Sequence, residues 1–145
     1  MLEVKNLTFN VHENGVERSI VENISFQVQD GEMLVITGPN GGGKSTLAKV
    51  LMGIEKADGG QILLDGEDIT GYDIDHRAGA GIGFAFQQPP RFKGMTVNKL
   101  LSLAAGRELS EPECCKMLSA VGLCAREYIK REVDGTLSGG EMKRL

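Results

Sequence analysis

Residues 35–51 read VITGPNGGGKSTLAKVL. Within them, residues 38–45 (G-P-N-G-G-G-K-S) match G-x-x-x-x-G-K-[ST] at every fixed position. The preceding M-L-V-I-T, residues 33–37, is a short apolar run expected to form a buried strand. Gly41, Gly42 and Gly43 let the backbone turn where a side chain would clash. Successive N–H groups can then converge on one anion. Leu47, Val50, Leu51 and Ile54 fall at i, i+3, i+4 and i+7, so an amphipathic helix is expected to follow. Its positive N-terminal end adds to the cage.

The required order of strand, loop and helix separates this loop from a glycine-rich turn with a chance lysine. It reads as a P-loop. Lys44 brings a point charge to the outer phosphates of a nucleotide, and the Ser45 hydroxyl suits a magnesium ion. The expected nucleotide contacts are Gly38, Pro39, Asn40, Gly41, Gly42, Gly43, Lys44, Ser45 and Thr46. Motif and context give a nucleotide binder and not yet a reaction.

At 145 residues the chain is long enough for one domain with a real core. A net charge of −4 with no basic patch argues against nucleic acid as a partner. No apolar run approaches the roughly 18 residues that span a bilayer, and Met1-Leu2-Glu3 does not begin a signal peptide. No direct membrane insertion is expected, and the expected compartment is the cytoplasm. Cys114, Cys115 and Cys124 make an odd count, which speaks against a disulfide framework, and no metal site is expected there.

Leu7, Phe9 and Val11 alternate with polar residues, as do Ile24, Phe26 and Val28, so both stretches are expected strands. Asn14-Gly15, Asp30-Gly31 and Asp65-Gly66 are turn signals between such runs. Residues 61–64 form another expected strand, and Ile82, Phe84 and Phe86 a further one. Beyond Pro89-Pro90 the texture becomes helical. Val97, Leu100, Leu101 and Ala104 form one stripe, and Cys114, Met117, Leu118 and Val121 the next. Ser110-Glu111-Pro112-Glu113 is a capping box, and Gly122 ends that helix. A β-rich and P-loop region therefore precedes a helical one.

Leu137-Ser138-Gly139-Gly140-Glu141 is the second motif. By itself it could be a serine-capped helix start, and the same serine hydroxyl and open glycine amides would make an anion site. With the P-loop, it resembles the ATP-binding cassette family, in which L-S-G-G-x is the signature. The family's Q-loop glutamine resembles Gln87 in "GFAFQQPPRF", with Gln88 as the alternative. The resemblance covers essentially the whole chain. It implies an α/β P-loop NTPase core with an antiparallel β subdomain and a helical subdomain. Its divisions are 1–93 (β subdomain, P-loop and Q-loop), 94–136 (helical subdomain) and 137–145 (signature and the start of the next helix).

The resemblance also implies ATP and Mg2+ as ligands and ATP hydrolysis as the reaction. Lys44 and the loop amides would hold the phosphates, and Ser45 and Gln87 the magnesium, with Gln87 also sensing nucleotide for a partner. Lys44 and Gln87 are thus the implied catalytic residues. Ser138, Gly139 and Gly140 would close on ATP bound to a second copy in a head-to-tail homodimer. Val11 occupies the place of the family's adenine-stacking aromatic, with His12 as a possible substitute; neither matches the usual ring, so adenine affinity is expected to be modest.

The family pattern continues for about a hundred residues beyond the signature, carrying the Walker B aspartate, the catalytic glutamate and the switch histidine. "QILLDGE" does not supply them, because Asp65-Gly66 is a hairpin signal. The C-terminal part of the core is therefore expected to be missing from these 145 residues, leaving a sheet edge open, apolar surface exposed and hydrolysis poor.

"HRAGAGIGFAFQQPPRFKG" resembles the SufC-type iron–sulfur cluster assembly ATPases, which implies docking to a SufB- or SufD-like scaffold. The alternatives are a transporter's nucleotide-binding subunit, peripheral to the membrane on a permease subunit, and a chain that binds nucleotide without hydrolysis. Pro89, Pro90, Arg91, Phe92 and Lys93 are the docking candidates, unless Phe92 tucks into the core. A P-loop kinase would leave L-S-G-G-E without a role.

Overall fold

A computed structural model describes residues 1–145, which divide into two compact units, Met1–Phe84 and Ala85–Leu145. The first is built on an antiparallel sheet. Strands β1 (Leu2–Glu13) and β2 (Val16–Val28) are joined by Asn14-Gly15, whose φ values of 51° and 78° are those of a two-residue hairpin turn. Strand β3 (Gly59–Leu64) pairs with the other edge of β1, with Val4 opposite Ile62. Asp65-Gly66, at φ 51° and 85°, then turns the chain into β4 (Glu67–Asp68), giving the order β2-β1-β3-β4. "QILLDGE" is therefore the hairpin its turn dipeptide predicts. The Asp65 carboxylate accepts a hydrogen bond from the Met1 ammonium.

The period-2 pattern along β1 is broken and restarted at Asn6, which has φ 48°, where the β1–β2 register shifts. Val4 and Leu7 are three residues apart, yet both are fully buried. On β2, Asn23 (φ 50°) lies between buried Val21 and Ile24, and Ile24 is left 37% exposed despite its place in the alternation. Helix α1 (Lys44–Met52) lays Leu47 and Val50 against this core with Val4, Leu7, Ile62 and Ile69. Ile54 lies beyond the helix and is 36% exposed, because the chain leaves α1 at Gly53. Helix α2 (Ile74–Gly79) starts at Asp73, whose carboxylate accepts from the His76 N–H at 3.0 Å.

Two expected strands are not formed. Residues 33–37 carry no strand, and Met33 and Val35 are 86% and 71% exposed. A strand exists only as one rung-bearing edge of a ladder, and the order β2-β1-β3-β4 sets no neighbour beside this run. Residues 82–86 are likewise irregular, with Ile82 half-buried against the core and Phe86 exposed.

The second unit holds β5 (Phe92–Thr96), α3 (Val97–Ala104), α4 (Glu111–Ala120), α5 (Ala125–Tyr128), β6 (Glu132–Val133) and α6 (Gly139–Arg144). Val97, Cys114, Leu118, Ile129, Leu137 and Met142 lie in one core. The Ser110 N–H donates to Glu113 Oε2 at 2.9 Å, closing the capping box at the start of α4. Cys114 and Leu118 are buried, but Met117 and Val121 are 45% and 41% exposed, so the apolar face of α4 is narrower than its stripe. The β5–β6 ribbon pairs residues some forty positions apart and has no local sequence signal.

Candidate functional site

The P-loop connects the exposed run 33–37 to α1. Gly38 and Gly41 have φ 150° and 80°. Gly43, at φ 77°, is the N-cap of α1, and a Cβ there would stand 2.4 Å from the Ile20 carbonyl oxygen. Only glycine brings the helix start this close to β2. No side chain caps α1, and its first turn holds no acidic residue. The amides of the first turn thus lie outside the intrahelical bonding pattern and face no local carboxylate. Lys44 folds back across the loop, donating from Nζ to the carbonyls of Gly38 at 2.8 Å and Pro39 at 2.7 Å.

This cradle suits a chain of phosphates. A cation spans its rim, glycine opens the backbone, and a positive helix end points inward. Pro39, Asn40 and Ser45 are exposed and Thr46 half-buried. The exposed Ser45 hydroxyl, one residue beyond Lys44, is a hard oxygen donor of the kind magnesium takes. Val11, half-buried on β1, stands opposite Arg18. His12 is exposed, with Nε2 3.9 Å from the Glu17 carboxylate.

Gln87 does not end a strand. It lies exposed in a bend, as does Gln88, both in the second unit. Phe92 neither enters the core nor stands clear of structure: it pairs with Val133 across the β5–β6 ribbon and is 37% exposed. Lys93, Met95, Lys99, Leu103 and Arg107 line a cavity of about 560 Å³ in this unit.

The signature opens α6. The Ser138 N–H donates to Glu141 Oε2 at 2.6 Å, and Ser138 Oγ accepts from the Glu141 N–H at 3.3 Å. Gly139 and Gly140 are exposed with open space beside each Cα. The Tyr128 hydroxyl donates to Glu141 Oε1, and the Arg131 guanidinium lies 5.2 Å from the centre of the Tyr128 ring. The Tyr128 bond and then the Ser138 contacts hold the Glu141 carboxyl down at about 2. Leu137 and Met142 anchor the motif in the core on either side. Sequence reading missed Tyr128 and Arg131. The S-x-x-E spacing of Ser138 and Glu141 was the available signal that the glutamate belongs to the cap.

One buried charge was also missed. Arg77 on α2 is only 1% exposed, and its guanidinium bonds are all to backbone carbonyls. Arginine is seldom buried without a carboxylate, so nothing in its sequence context marks it.

A profile of the ABC transporter family matches residues 21–145. The chain belongs to this family of P-loop ATPases. An uncharacterized ABC transporter ATP-binding protein, MJ0035 of Methanocaldococcus jannaschii, is 40% identical over 88% of this chain and 54% of its own length. The spermidine/putrescine import ATP-binding protein PotA of Mannheimia succiniciproducens is 32% identical over 100% of this chain and 38% of its own. The chain thus spans about half or less of these curated relatives. Among solved structures, the ATP-binding cassette MJ0796, a dimer in a post-hydrolysis state bound to ADP and Pi, superposes with a TM-score of 0.82 at 25% identity, covering 99% of this chain and 66% of that one.

The α/β P-loop fold with its antiparallel sheet and helical subdomain is that of ABC ATPase cassettes. The narrower SufC-type resemblance does not carry through: named relatives include importers of polyamines and of sulfate or thiosulfate, so the finding reaches the family and favours its transport branch. No helix is long and apolar enough to cross a membrane.

Proposed function

We propose that this chain is the nucleotide-binding part of an ABC transporter ATPase, with MgATP held at residues 38–46. The observation that carries the reading is the start of α1: open first-turn amides, no local carboxylate, and Lys44 Nζ resting on two loop carbonyls that a phosphate can replace. In this reading Lys44 steadies the outer phosphates, Ser45 ligates magnesium, and Val11 offers apolar contact to the base; a magnesium-ligating role for Gln87, in the second unit, rests on the family resemblance alone. Bound magnesium would screen phosphate charge and so favour attack by water.

Ser138, Gly139 and Gly140 meet the nucleotide of a second copy. The dimeric state of the MJ0796 cassette supports that arrangement, as do two exposed signature glycines with open space beside each Cα. The functional divisions proposed are 1–93, 94–136 and 137–145, whereas the chain divides into its two compact units between Phe84 and Ala85. The partner is a membrane permease subunit, seated near Pro89–Lys93 and the cavity lined by Lys93 and Lys99. The named transport relatives favour it over a scaffold.

The second reading, a scaffold-coupled iron–sulfur assembly ATPase, rests on the run R-A-G-A-G-I-G-F-A-F-Q at residues 77–87. Reconstitution separates the two. The complete protein, mixed with its permease in proteoliposomes, is expected to gain ATP turnover from transport substrate. Stimulation by a soluble SufB/SufD-like scaffold, and none by a permease, would reverse the order of the readings.

A further inference from the structure

Arg77 is a charge the phosphate site does not use. Its Nη1 donates to the carbonyls of Val50 at 2.7 Å and Leu51 at 2.8 Å, both in the last turn of α1. Its Nη2 donates to the Thr70 carbonyl at 2.8 Å and its Nε to the Tyr72 carbonyl at 3.0 Å. One rigid fork therefore ties the end of the P-loop helix to the segment between β4 and α2. Gly53 makes room for it: a Cβ there would lie 3.1 Å from Nε and 3.2 Å from Cδ. A guanidinium suits this place twice over. It donates to the Leu51 carbonyl at the helix end and adds a second bond to the Val50 carbonyl, which also accepts from the Gly53 N–H at 3.1 Å, and its charge complements the negative pole of the helix. Burial pushes its pKa down from the ordinary arginine value, yet four acceptors keep the cation solvated by backbone.

We infer that Arg77 is a positioning residue for the phosphate loop: its grip on the Val50 and Leu51 carbonyls sets the axis of α1, and with it the aim of the amides at the other end. This rests on the nucleotide binding proposed above. Helix α1 has nine residues, so it is about 13 Å long and moves as a rod. A tilt of about 5° about its middle displaces the first-turn amides by about half an ångström, enough to spoil several hydrogen bonds to one anion. Linkage requires reciprocity: if the clamp raises nucleotide affinity, bound nucleotide must tighten the clamp by the same factor.

The test uses the complete protein with Arg77→Met, Arg77→Lys and Lys44→Ala, titrated with MgATP and with inorganic tripolyphosphate, well below the melting temperature of each. Arg77→Met is expected to weaken both ligands by about tenfold, with Arg77→Lys in between. A residue that only stabilises the fold would lower the melting temperature and leave the affinity of the folded protein unchanged. In the unsubstituted protein, exchange of the Arg77 Nε–H with solvent, followed by NMR, is expected to slow by a similar factor when MgATP saturates. A folded Arg77→Met protein that binds with undiminished affinity overturns the inference. If that variant does not fold, an Nε–H exchange rate indifferent to MgATP overturns it. Failure of the unsubstituted protein to bind MgATP would instead remove the nucleotide reading itself, and this inference with it.

Discussion

Gly43 shows how little freedom the site has at single positions. Its backbone is left-handed, and a methyl group there would overlap the Ile20 carbonyl, which belongs to β2 and cannot swing aside as a side chain would. Gly43→Ala is expected to cost about 1–3 kcal/mol in stability, read by urea denaturation, and to abolish MgATP binding where the protein remains folded. Asp65 makes the opposite case. It sits in a hairpin turn that asparagine fills equally well. Asp65→Asn in the complete protein is expected to leave ATP turnover within about twofold, since surface changes away from a site are small; a collapse of turnover would mark Asp65 as a catalytic carboxylate after all. Lys44 and the loop glycines were legible because motif chemistry is local. Arg77 was not, because its partners are carbonyls brought to it by the fold, and a charged side chain is by default read as solvated.

At the scale of elements, caps carry the sequence-to-structure link most directly. Ser110 with Glu113 and Ser138 with Glu141 both close the boxes their spacing allows. Glu141 is held at about 2, against an ordinary 4.5, by the Tyr128 hydroxyl and then by Ser138. A carboxyl lowered in the folded state stabilises it above the unfolded value, and that contribution fades as pH falls toward the folded one. The stabilising effect of Glu141 is thus complete above pH 4.5 and lost by about pH 2. Glu141→Gln is expected to flatten the fall of stability across that window, as followed by circular dichroism during acid titration. An unchanged acid profile would show that the Tyr128–Glu141–Ser138 network contributes nothing.

Strands were less legible than helices, for a physical reason. The hairpins at Asn14-Gly15 and Asp65-Gly66 announce themselves, since both turn residues must take positive φ. The run M-L-V-I-T has the composition of a buried strand, but composition cannot supply the neighbour whose amides complete the ladder. Asn6 and Asn23 carry positive φ at or beside the irregular pairing of β1 and β2, a feature that alternation counting averages away.

On the scale of the molecule, each unit has its own apolar centre. Ile62 is fully buried in the first and Leu118 1% exposed in the second. Ile62→Ala and Leu118→Ala are each expected to cost about 2–5 kcal/mol, measured by denaturant titration; a change below 1 kcal/mol at either position would contradict the packing described. Fold class and family were readable from three short motifs in order. The branch of the family was not, because partner choice is set by surface residues, which no spacing rule constrains. Net charge adds a whole-molecule constraint. In the dimer proposed above, two copies of a chain at −4 repel, so a shared anion would hold them through local positive charge at the P-loop and signature.

In the proposed reading the start of α1 and Lys44 form a phosphate cradle. Isothermal calorimetry of MgATP against the complete protein and its Lys44→Ala variant tests it most directly. Saturable binding is expected for the unsubstituted protein, with a loss of at least tenfold in affinity on removing the lysine, as for a desolvated charge-assisted contact. Equal affinity in both proteins, or no heat from either while both are folded, would contradict it.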